Sequence, residues 1–177
     1  MYQFNEPAIR IAGEDDIPAL LQLLNSAYRG EAAAKGWTSE SHLISGETRT
    51  DTATLQRLIQ QPNSFLLKYI DEHNHIIGCV NLQVQHEKMY LGMLSVSPQL
   101  QGGGIGKKLL FAAEDFARYN NCSGIHMTVI SVRHELINWY KRYGYTDTGI
   151  RKPFHEDEVS GKHLQPLEFM VMEKNIV

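Results

Sequence analysis

The stretch QLQGGGIGKKLL, residues 99–110, decides how this sequence is interpreted. It places four glycines and two lysines between a predicted strand that ends at Val96 and a predicted helix. Glycine loses more backbone freedom on folding than any other residue, so a cluster of glycines at this point needs a reason. A strand, a glycine-rich turn and a helix can form an anion site, because N–H groups at the helix start point outward and the missing side chains let a phosphate approach.

Two well-known phosphate-binding patterns do not fit this stretch. A Walker A loop needs a glycine where Gln101 stands and a hydroxyl residue where Lys108 stands. The dinucleotide-binding pattern Gly-x-Gly-x-x-Gly needs its third glycine at a position held by Lys107 or Leu109, depending on where the count begins. A nucleotide-binding protein is therefore a weakened hypothesis, which preferential binding of ATP would revive.

A different pattern, Gln/Arg-x-x-Gly-x-Gly/Ala, does fit, with Gln101 at its first position and Gly104 and Gly106 at its glycine positions. A second segment, WYKRYGY at residues 139–145, follows one predicted strand later. Together they resemble the acyl-CoA pyrophosphate loop and the Leu-Tyr-x-x-x-Gly-Phe segment of the GNAT superfamily, the GCN5-related N-acetyltransferases. The resemblance is specific over residues 89–145 and generic before them.

Hydrophobic periodicity on both sides of the glycine stretch predicts the element order βααβββαβαββ. Strands outnumber helices, so the order indicates an α/β domain with a mixed sheet covered by helices. The resemblance implies the GNAT fold, with a mostly antiparallel central sheet and helices on both faces. Because no linker interrupts the pattern, residues 1–177 are predicted to form a single N-acetyltransferase domain.

Composition limits the location and the partners of the protein. The formal net charge is −3, from 17 basic and 20 acidic residues, which gives no reason to expect a nucleic acid or an anionic membrane as the main partner. No apolar run is long enough to cross a bilayer, and the first residues lack the layout of a signal peptide. Cys79 and Cys122 lie apart, in or beside apolar runs, so buried free thiols in a reducing cytoplasm are predicted.

The resemblance implies acetyl-CoA as the acyl donor. The strand before the loop would contribute backbone groups to the pantetheine, and Asn138 a further contact. Lys107 would add positive charge at the pyrophosphate, whereas Lys108 is better explained as solvated. Arg133 stands where the family often has asparagine, and it could reach a phosphate instead. The predicted donor-binding residues are Leu94, Val96, Gln101, Gly102, Gly103, Gly104, Ile105, Gly106, Lys107 and Asn138.

Tyr140 is predicted to be the catalytic acid, because a phenol can protonate the departing thiolate of CoA. The alternative is an ordinary aromatic side chain on a helix face. The general base stays open between Glu87 and His126. His126 is more simply explained as a core histidine and Glu87 as a solvated turn residue.

The acceptor would bind between the first two helices and the later strand ends, a region that contains Trp37, Glu40 and Asp51. A carboxylate could hold a cationic amine and Trp37 could stack on it, but loop structure and a helix cap explain these residues equally well. No metal site is predicted, since the pair His73 and His75 lies in a turn without a third ligand. A homodimer is left open, because family members often dimerise.

The sequence therefore predicts an enzyme that moves an acetyl group from acetyl-CoA to an amine acceptor. Direct attack in a ternary complex is favoured, since neither cysteine has a recognisable catalytic partner. The alternative is a non-catalytic sensor or interaction module that binds acyl-CoA on the same fold.

Overall fold

The computed structural model describes residues 2–28, 43–44, 49–154, 161–162 and 164–177. Within them the strands are β1 Ile9–Ile11, β2 Ser64–Ile70, β3 Ile76–Gln85, β4 Lys88–Val96, β5 Gly124–Ile130, β6 Thr146–Pro153 and β7 Glu168–Asn175. The α-helices are α1 Ile17–Tyr28, α2 Thr52–Gln60, α3 Ile105–Tyr119 and α4 His134–Arg142, with short 3₁₀ turns at Glu14–Asp16 and Pro98–Leu100. This confirms the predicted order.

The strands form one sheet in the order β1-β2-β3-β4-β5-β7-β6. Every neighbouring pair is antiparallel except β4 and β5, which run parallel. The exception follows from the connection, because β4 and β5 are joined through α3, and a parallel pair needs such a crossover. The mixed, mostly antiparallel sheet expected from the sequence is confirmed.

Helices cover both faces of the sheet, as predicted. On one face α1 and α2 pack against alternating strand residues such as Leu66 and Cys79, through Leu24 and Leu55. On the other face α3 and α4 pack against the neighbouring residues of the same strands, which include Leu67, Val80 and Leu82. The period-two alternation of strand side chains separates the two layers.

The parallel pair β4–β5 is short and then opens. Its ladder joins only residues 88–90 to residues 124–126, and Tyr90 and His126 form its last pair. On the other side of β4, the ladder with β3 shifts register between Cys79 and Asn81. Met93 lies in this irregular segment with φ 55°, a left-handed conformation that L-residues seldom adopt. The end of β4 is therefore bent away from β5, which leaves a wedge between the two strands.

Both cysteines are buried free thiols, as the sequence predicts. Burial raises the pKa of Cys79 to about 12, so this thiol stays protonated at neutral pH. Among the described residues, no helix has the length and apolar character needed to cross a membrane.

Candidate active site

A cavity of about 600 Å³ lies beside the end of β4, beyond the residues that pair with β5. Its walls are the end of β4, the glycine loop with the start of α3, and one face of α4. The predicted donor-binding and catalytic residues that line it are Leu94, Val96, Gln101, Gly102, Gly104, Ile105, Gly106, Lys107, Asn138 and Tyr140. Gly103 is outside this wall, and its N–H donates to the carbonyl of Leu100 at 3.4 Å.

The glycine loop has the geometry that a close anion contact needs. Gly102 has φ 92° and Gly104 has φ 84°, so both positions favour glycine for their backbone conformation. A Cβ atom added at either position would meet nothing within 4 Å in the protein. At Gly106 a Cβ atom would lie 3.6 Å from the ring of Trp139, over the cavity. Residues 102–106 thus leave open space in front of the helix, and we call this space the glycine cradle.

The first turn of α3 turns its backbone donors toward this cradle. Gly104 is the N-cap residue and supplies no side-chain cap, and the first helical bond runs from the N–H of Lys108 to the carbonyl of Gly104 at 3.0 Å. The N–H groups of residues 105–107 precede that bond, and at a helix start they carry the positive end of the dipole. The arrangement suits a phosphate group.

The two lysines after the loop have different surroundings. Lys107 lines the cavity, with its Nζ atom 5.6 Å from the ring centroid of Phe111. Lys108 is directed elsewhere, where its Nζ atom donates to the Tyr69 hydroxyl at 3.4 Å and lies 3.4 Å from a carboxylate oxygen of Glu6. Of these two lysines, Lys107 is therefore the one placed to add charge at the glycine loop.

Two carbonyl groups at the end of β4 already accept hydrogen bonds from side chains. The Tyr28 hydroxyl, at the end of α1, donates to the carbonyl of Leu94. The side-chain amide of Gln101 donates to the carbonyl of Val96 at 3.0 Å. Gln101 thus ties the loop to the strand through its own side chain. Each carbonyl oxygen has a second lone pair with which it can accept a further donor.

Tyr140 lies on α4, is 5% exposed and faces the cavity. Burial raises the pKa of its phenol above the ordinary value, and the neighbouring Tyr28 and Tyr90 raise it further. The positive charge of Arg133 acts in the opposite direction. The phenol is therefore protonated throughout the physiological pH range and can donate a hydrogen bond to a group in the cavity.

The ring of Tyr140 packs against Tyr145, whose hydroxyl belongs to a buried polar network with Glu114 and Lys174. The ring of Tyr145 meets that of Tyr140 edge to face, with centroids 5.8 Å apart. The Tyr145 hydroxyl donates to Glu114 at 3.4 Å, and Glu114 pairs with Lys174 at 2.7 Å. Between α4 and Tyr145 the chain turns at Gly144, whose φ is 93°. This network fixes the end of the helix that carries Tyr140.

Several lining residues were not singled out from the sequence. They are Tyr28, Ser95 and Leu100, together with Glu135, Leu136, Trp139 and Arg142 on α4 and the C-cap residue Tyr143. The α4 residues recur at helical spacing around Asn138 and Tyr140, so the period of the helix could have identified them. Tyr28 comes from α1, 66 residues before Leu94, and no local pattern indicates that contact.

The remaining candidates that fall within the described residues do not line the cavity. Asp51 is the N-cap of α2, where its carboxylate accepts from the N–H of Thr54 at 2.9 Å. Arg133 is buried at the start of α4 and is not part of the cavity wall. Glu87 lies in the turn between β3 and β4, and neither it nor His126 lines the cavity. Trp37 and Glu40 lie outside the described residues. In the part of the chain that the structure describes, no three side chains are grouped to hold a metal ion.

Comparison with known proteins identifies the family. The sequence profile of the acetyltransferase (GNAT) family matches residues 18–145. An acetyltransferase from Agrobacterium fabrum is 34% identical over 83 residues, which cover 47% of this chain and 59% of that protein. The alignment thus spans about three fifths of that relative's length.

Solved structures of acetyltransferases share the fold. A ribosomal-protein-alanine N-acetyltransferase from Brucella melitensis superimposes with a TM-score of 0.70 at 22% identity, over 94% of this chain and 98% of that one. The PaiA N-acetyltransferase from Thermoplasma acidophilum, solved in complex with coenzyme A, superimposes with a TM-score of 0.66 at 17% identity. That match covers 94% of this chain and 97% of the other.

Proposed function

Because the chain belongs to the acetyltransferase (GNAT) family, we propose that it transfers an acetyl group from acetyl-CoA to the nitrogen of an amine. One observation carries the proposal: a single cavity joins an open glycine cradle at a helix N-terminus to a buried, protonated tyrosine. The first is suited to a pyrophosphate, and the second to a departing thiol. We extend the proposal to residues 1–177 as one catalytic domain in the cytoplasm, with a homodimer left open.

The donor fits the residues of the cavity. The backbone of Gly102 and Gly104 and the N–H groups of residues 105–107 would hold the pyrophosphate, with Lys107 adding charge. The end of β4 would pair with the pantetheine through backbone groups of Leu94 and Val96. Because their carbonyls already accept bonds from Tyr28 and Gln101, the pantetheine would use the second lone pair or displace these side chains. Asn138 would make a further contact from α4.

In the reaction, the nitrogen lone pair of the amine forms a bond to the acetyl carbon, and the bond from that carbon to sulfur breaks. Tyr140 gives its phenolic proton to the sulfur, and a base takes a proton from the amine. Tyr140 is later reprotonated from solvent. Direct transfer is supported by the cysteines, since neither lines the cavity and burial raises the pKa of Cys79 to about 12.

The alternative, a non-catalytic acyl-CoA sensor, is favoured by one observation. Burial raises the pKa of Tyr140 above its ordinary value, which already exceeds the value of about 8.5 for a thiol. Full proton transfer from this phenol to a thiolate is therefore uphill unless Arg133 or the bound donor offsets the cost. Tyr140 in a sensor would only donate a hydrogen bond.

The deciding experiment incubates the protein with acetyl-CoA and a panel of amines while free thiol release is followed. The panel includes a peptide that begins with alanine, because a structurally similar protein is a ribosomal-protein-alanine acetyltransferase, and also an amino acid, a polyamine and an alkylamine. We expect thiol release above the amine-free rate with at least one amine, and an acetylated product by mass spectrometry. Tight CoA binding without turnover would favour the non-catalytic acyl-CoA sensor. Binding of ATP in preference to CoA would favour the hypothesis of a nucleotide-binding protein.

A further inference from the structure

Tyr90 and His126 form the last pair of the β4–β5 ladder, at the point where the two strands begin to diverge. Their rings are close, with centroids 5.5 Å apart and an angle of 56° between the ring planes. They therefore stand at the narrow end of the wedge whose open end is the donor cavity.

Both side chains face the layer that contains α1. The strand neighbours of His126, Ile125 and Met127, are buried in the core beneath α3 and α4, so His126 projects from the opposite face. The same alternation applies to Tyr90, which stands between buried Met89 and Leu91. An acceptor that approaches from the α1 side would meet this pair, whereas the pyrophosphate loop opens beside α3 and α4.

The Tyr90 ring leans along β4 toward the cavity. A Cβ atom added at Gly92 would lie 2.9 Å from a ring carbon of Tyr90 and 3.1 Å from its hydroxyl oxygen. The hydroxyl is thus above Gly92, and Leu94 in the cavity wall follows two residues later. The absent side chain at Gly92 is what allows the ring to take this position.

Tyr28 and Tyr140 both line the donor cavity, and the Tyr90 hydroxyl lies above Gly92, two residues before Leu94 in the cavity wall. Tyr28 is anchored on the carbonyl of Leu94. Within the described residues, neither the Tyr90 hydroxyl nor the His126 imidazole takes part in a hydrogen bond of the protein, and both side chains are half-buried. Two polar groups therefore face the acceptor side without an internal partner.

We propose that Tyr90 contacts the attacking amine and that His126 accepts the amine proton through a bridging water. This inference rests on the proposed acetyl transfer and names its base. A protonated acceptor first loses one proton through the water to the imidazole, which frees the nitrogen lone pair for attack. The second N–H proton leaves to solvent once the carbon–nitrogen bond has formed, and Tyr140 supplies one proton to the sulfur as the carbon–sulfur bond breaks. His126 then releases its proton to solvent, which restores the starting state.

The surroundings of His126 keep its imidazole in the basic form. Burial lowers its pKa below the ordinary value, and Lys152 from β6 and Lys88 from β4 lower it further. Glu173, directly opposite on β7, raises the pKa but is itself paired with Lys88. Tyr90 is a further titratable group beside it among the residues that the structure describes. The imidazole is therefore neutral at neutral pH, as a proton acceptor must be.

The test compares three variants, each with a matched control: His126→Gln with His75→Gln, Tyr90→Phe with Tyr119→Phe, and Gly92→Ala with Gly13→Ala. His75 and Tyr119 are exposed, and a Cβ atom at Gly13 meets nothing within 4 Å.

The acceptors are n-butylamine, which is protonated at neutral pH, and hydroxylamine, which is mostly neutral. General-base catalysis contributes about 10²–10⁴-fold, so His126→Gln should lose at least about 10²-fold in kcat with n-butylamine and much less with hydroxylamine.

The other two variants test Tyr90. Tyr90→Phe should raise the KM for n-butylamine while CoA affinity is unchanged. Gly92→Ala should act in the same way, since its Cβ atom displaces the Tyr90 ring. The three controls should match the wild type.

The pH profile gives a second readout. In the wild type kcat should fall toward acid as His126 gains its proton, and His126→Gln should remove that limb. NMR titration of the imidazole should show it deprotonated at pH 7, with CoA bound or absent. An imidazole still protonated at pH 8, or a His126→Gln enzyme with wild-type kcat and pH profile, would overturn this inference and leave acetyl transfer intact. A wild type that turns over no amine would overturn both.

Discussion

The hydroxyl of Tyr28 donates a hydrogen bond to the carbonyl oxygen of Leu94 across a separation of 66 residues. The bond joins the last residue of α1 to the part of β4 that no longer pairs with β5. An unpaired strand edge leaves carbonyl groups that need hydrogen-bond donors, and the Tyr28 hydroxyl is the donor for the carbonyl of Leu94. The first helix thereby helps to hold the wedge open where the donor would enter.

Tyr28→Phe should leave the fold intact and lower its stability. The variant removes one hydrogen bond at a cavity wall, where water can replace the lost donor, so the free energy of unfolding should fall by about 1 kcal/mol. Urea denaturation measures the change, and Tyr119→Phe, at a ring that is 58% exposed, is the control. A Tyr28→Phe protein as stable as the control would show that the bond contributes nothing.

Gly104→Ala should separate backbone strain from steric contact. Gly104 is the N-cap of α3 at φ 84°, a conformation that costs an L-residue about 1–2 kcal/mol, while its Cβ atom would meet no protein atom within 4 Å. We expect a folded protein that is destabilised by that amount. CoA binding, measured by calorimetry, should weaken more than tenfold, because the new methyl group occupies the cradle. Gly13→Ala, which meets no neighbour, should change neither quantity.

The order of elements could be predicted because it depends on local patterns. Apolar residues at helical spacing, such as Leu20, Leu24 and Ala27, and alternating strand residues identify their elements without knowledge of the partners. The glycine loop and Tyr140 could also be predicted, since each belongs to a short segment with a characteristic spacing. Both line one cavity in the structure, and the roles proposed for them stay predictions.

The rest of the candidate site depends on contacts between distant residues. Nothing near Tyr28 indicates that its hydroxyl reaches Leu94, and nothing near Tyr90 indicates that His126 stands beside it at the end of a ladder. Gln101 is predicted to bind the donor, and nothing near it in the sequence indicates that its amide also donates to the carbonyl of Val96. Such pairings are fixed by register and bulges, which a linear pattern does not encode.

Tyr140→Phe should lower kcat for acetyl transfer by about 10²-fold or more while CoA affinity stays the same. The fold should tolerate the change, because the ring and its edge-to-face contact with Tyr145 remain. The raised pKa of the phenol predicts that the wild-type rate does not fall as pH rises through the ordinary tyrosine value of about 10. Thiol-release kinetics over pH and calorimetry with CoA test both points. A wild-type kcat in the variant would exclude Tyr140 as the acid.

The Glu114–Lys174 pair should show an asymmetric response to mutation. Glu114 is 4% exposed, so Lys174→Met leaves a buried carboxylate without its cation and should cost about 3 kcal/mol of stability. Glu114→Gln should cost less, because the Lys174 side chain is 24% exposed and its ammonium can reach water. The double variant should be less destabilised than the sum of the two single variants. Strict additivity in urea denaturation would show that the two groups do not interact.

The stability of the protein should depend on pH partly through His126. Burial lowers the pKa of His126 in the folded state below the value of about 6.5 that it has in the unfolded chain. Between these two values the unfolded chain binds more protons than the folded protein, so the free energy of unfolding falls as pH is lowered through that window. Above about pH 6.5 the imidazole is neutral in both states and the contribution vanishes. His126→Gln should therefore flatten the acid side of the stability curve, whereas His75→Gln, at an exposed turn, should not. Urea denaturation at a series of pH values measures both curves, and curves for wild type and His126→Gln that stay parallel below pH 6.5 would contradict the lowered pKa.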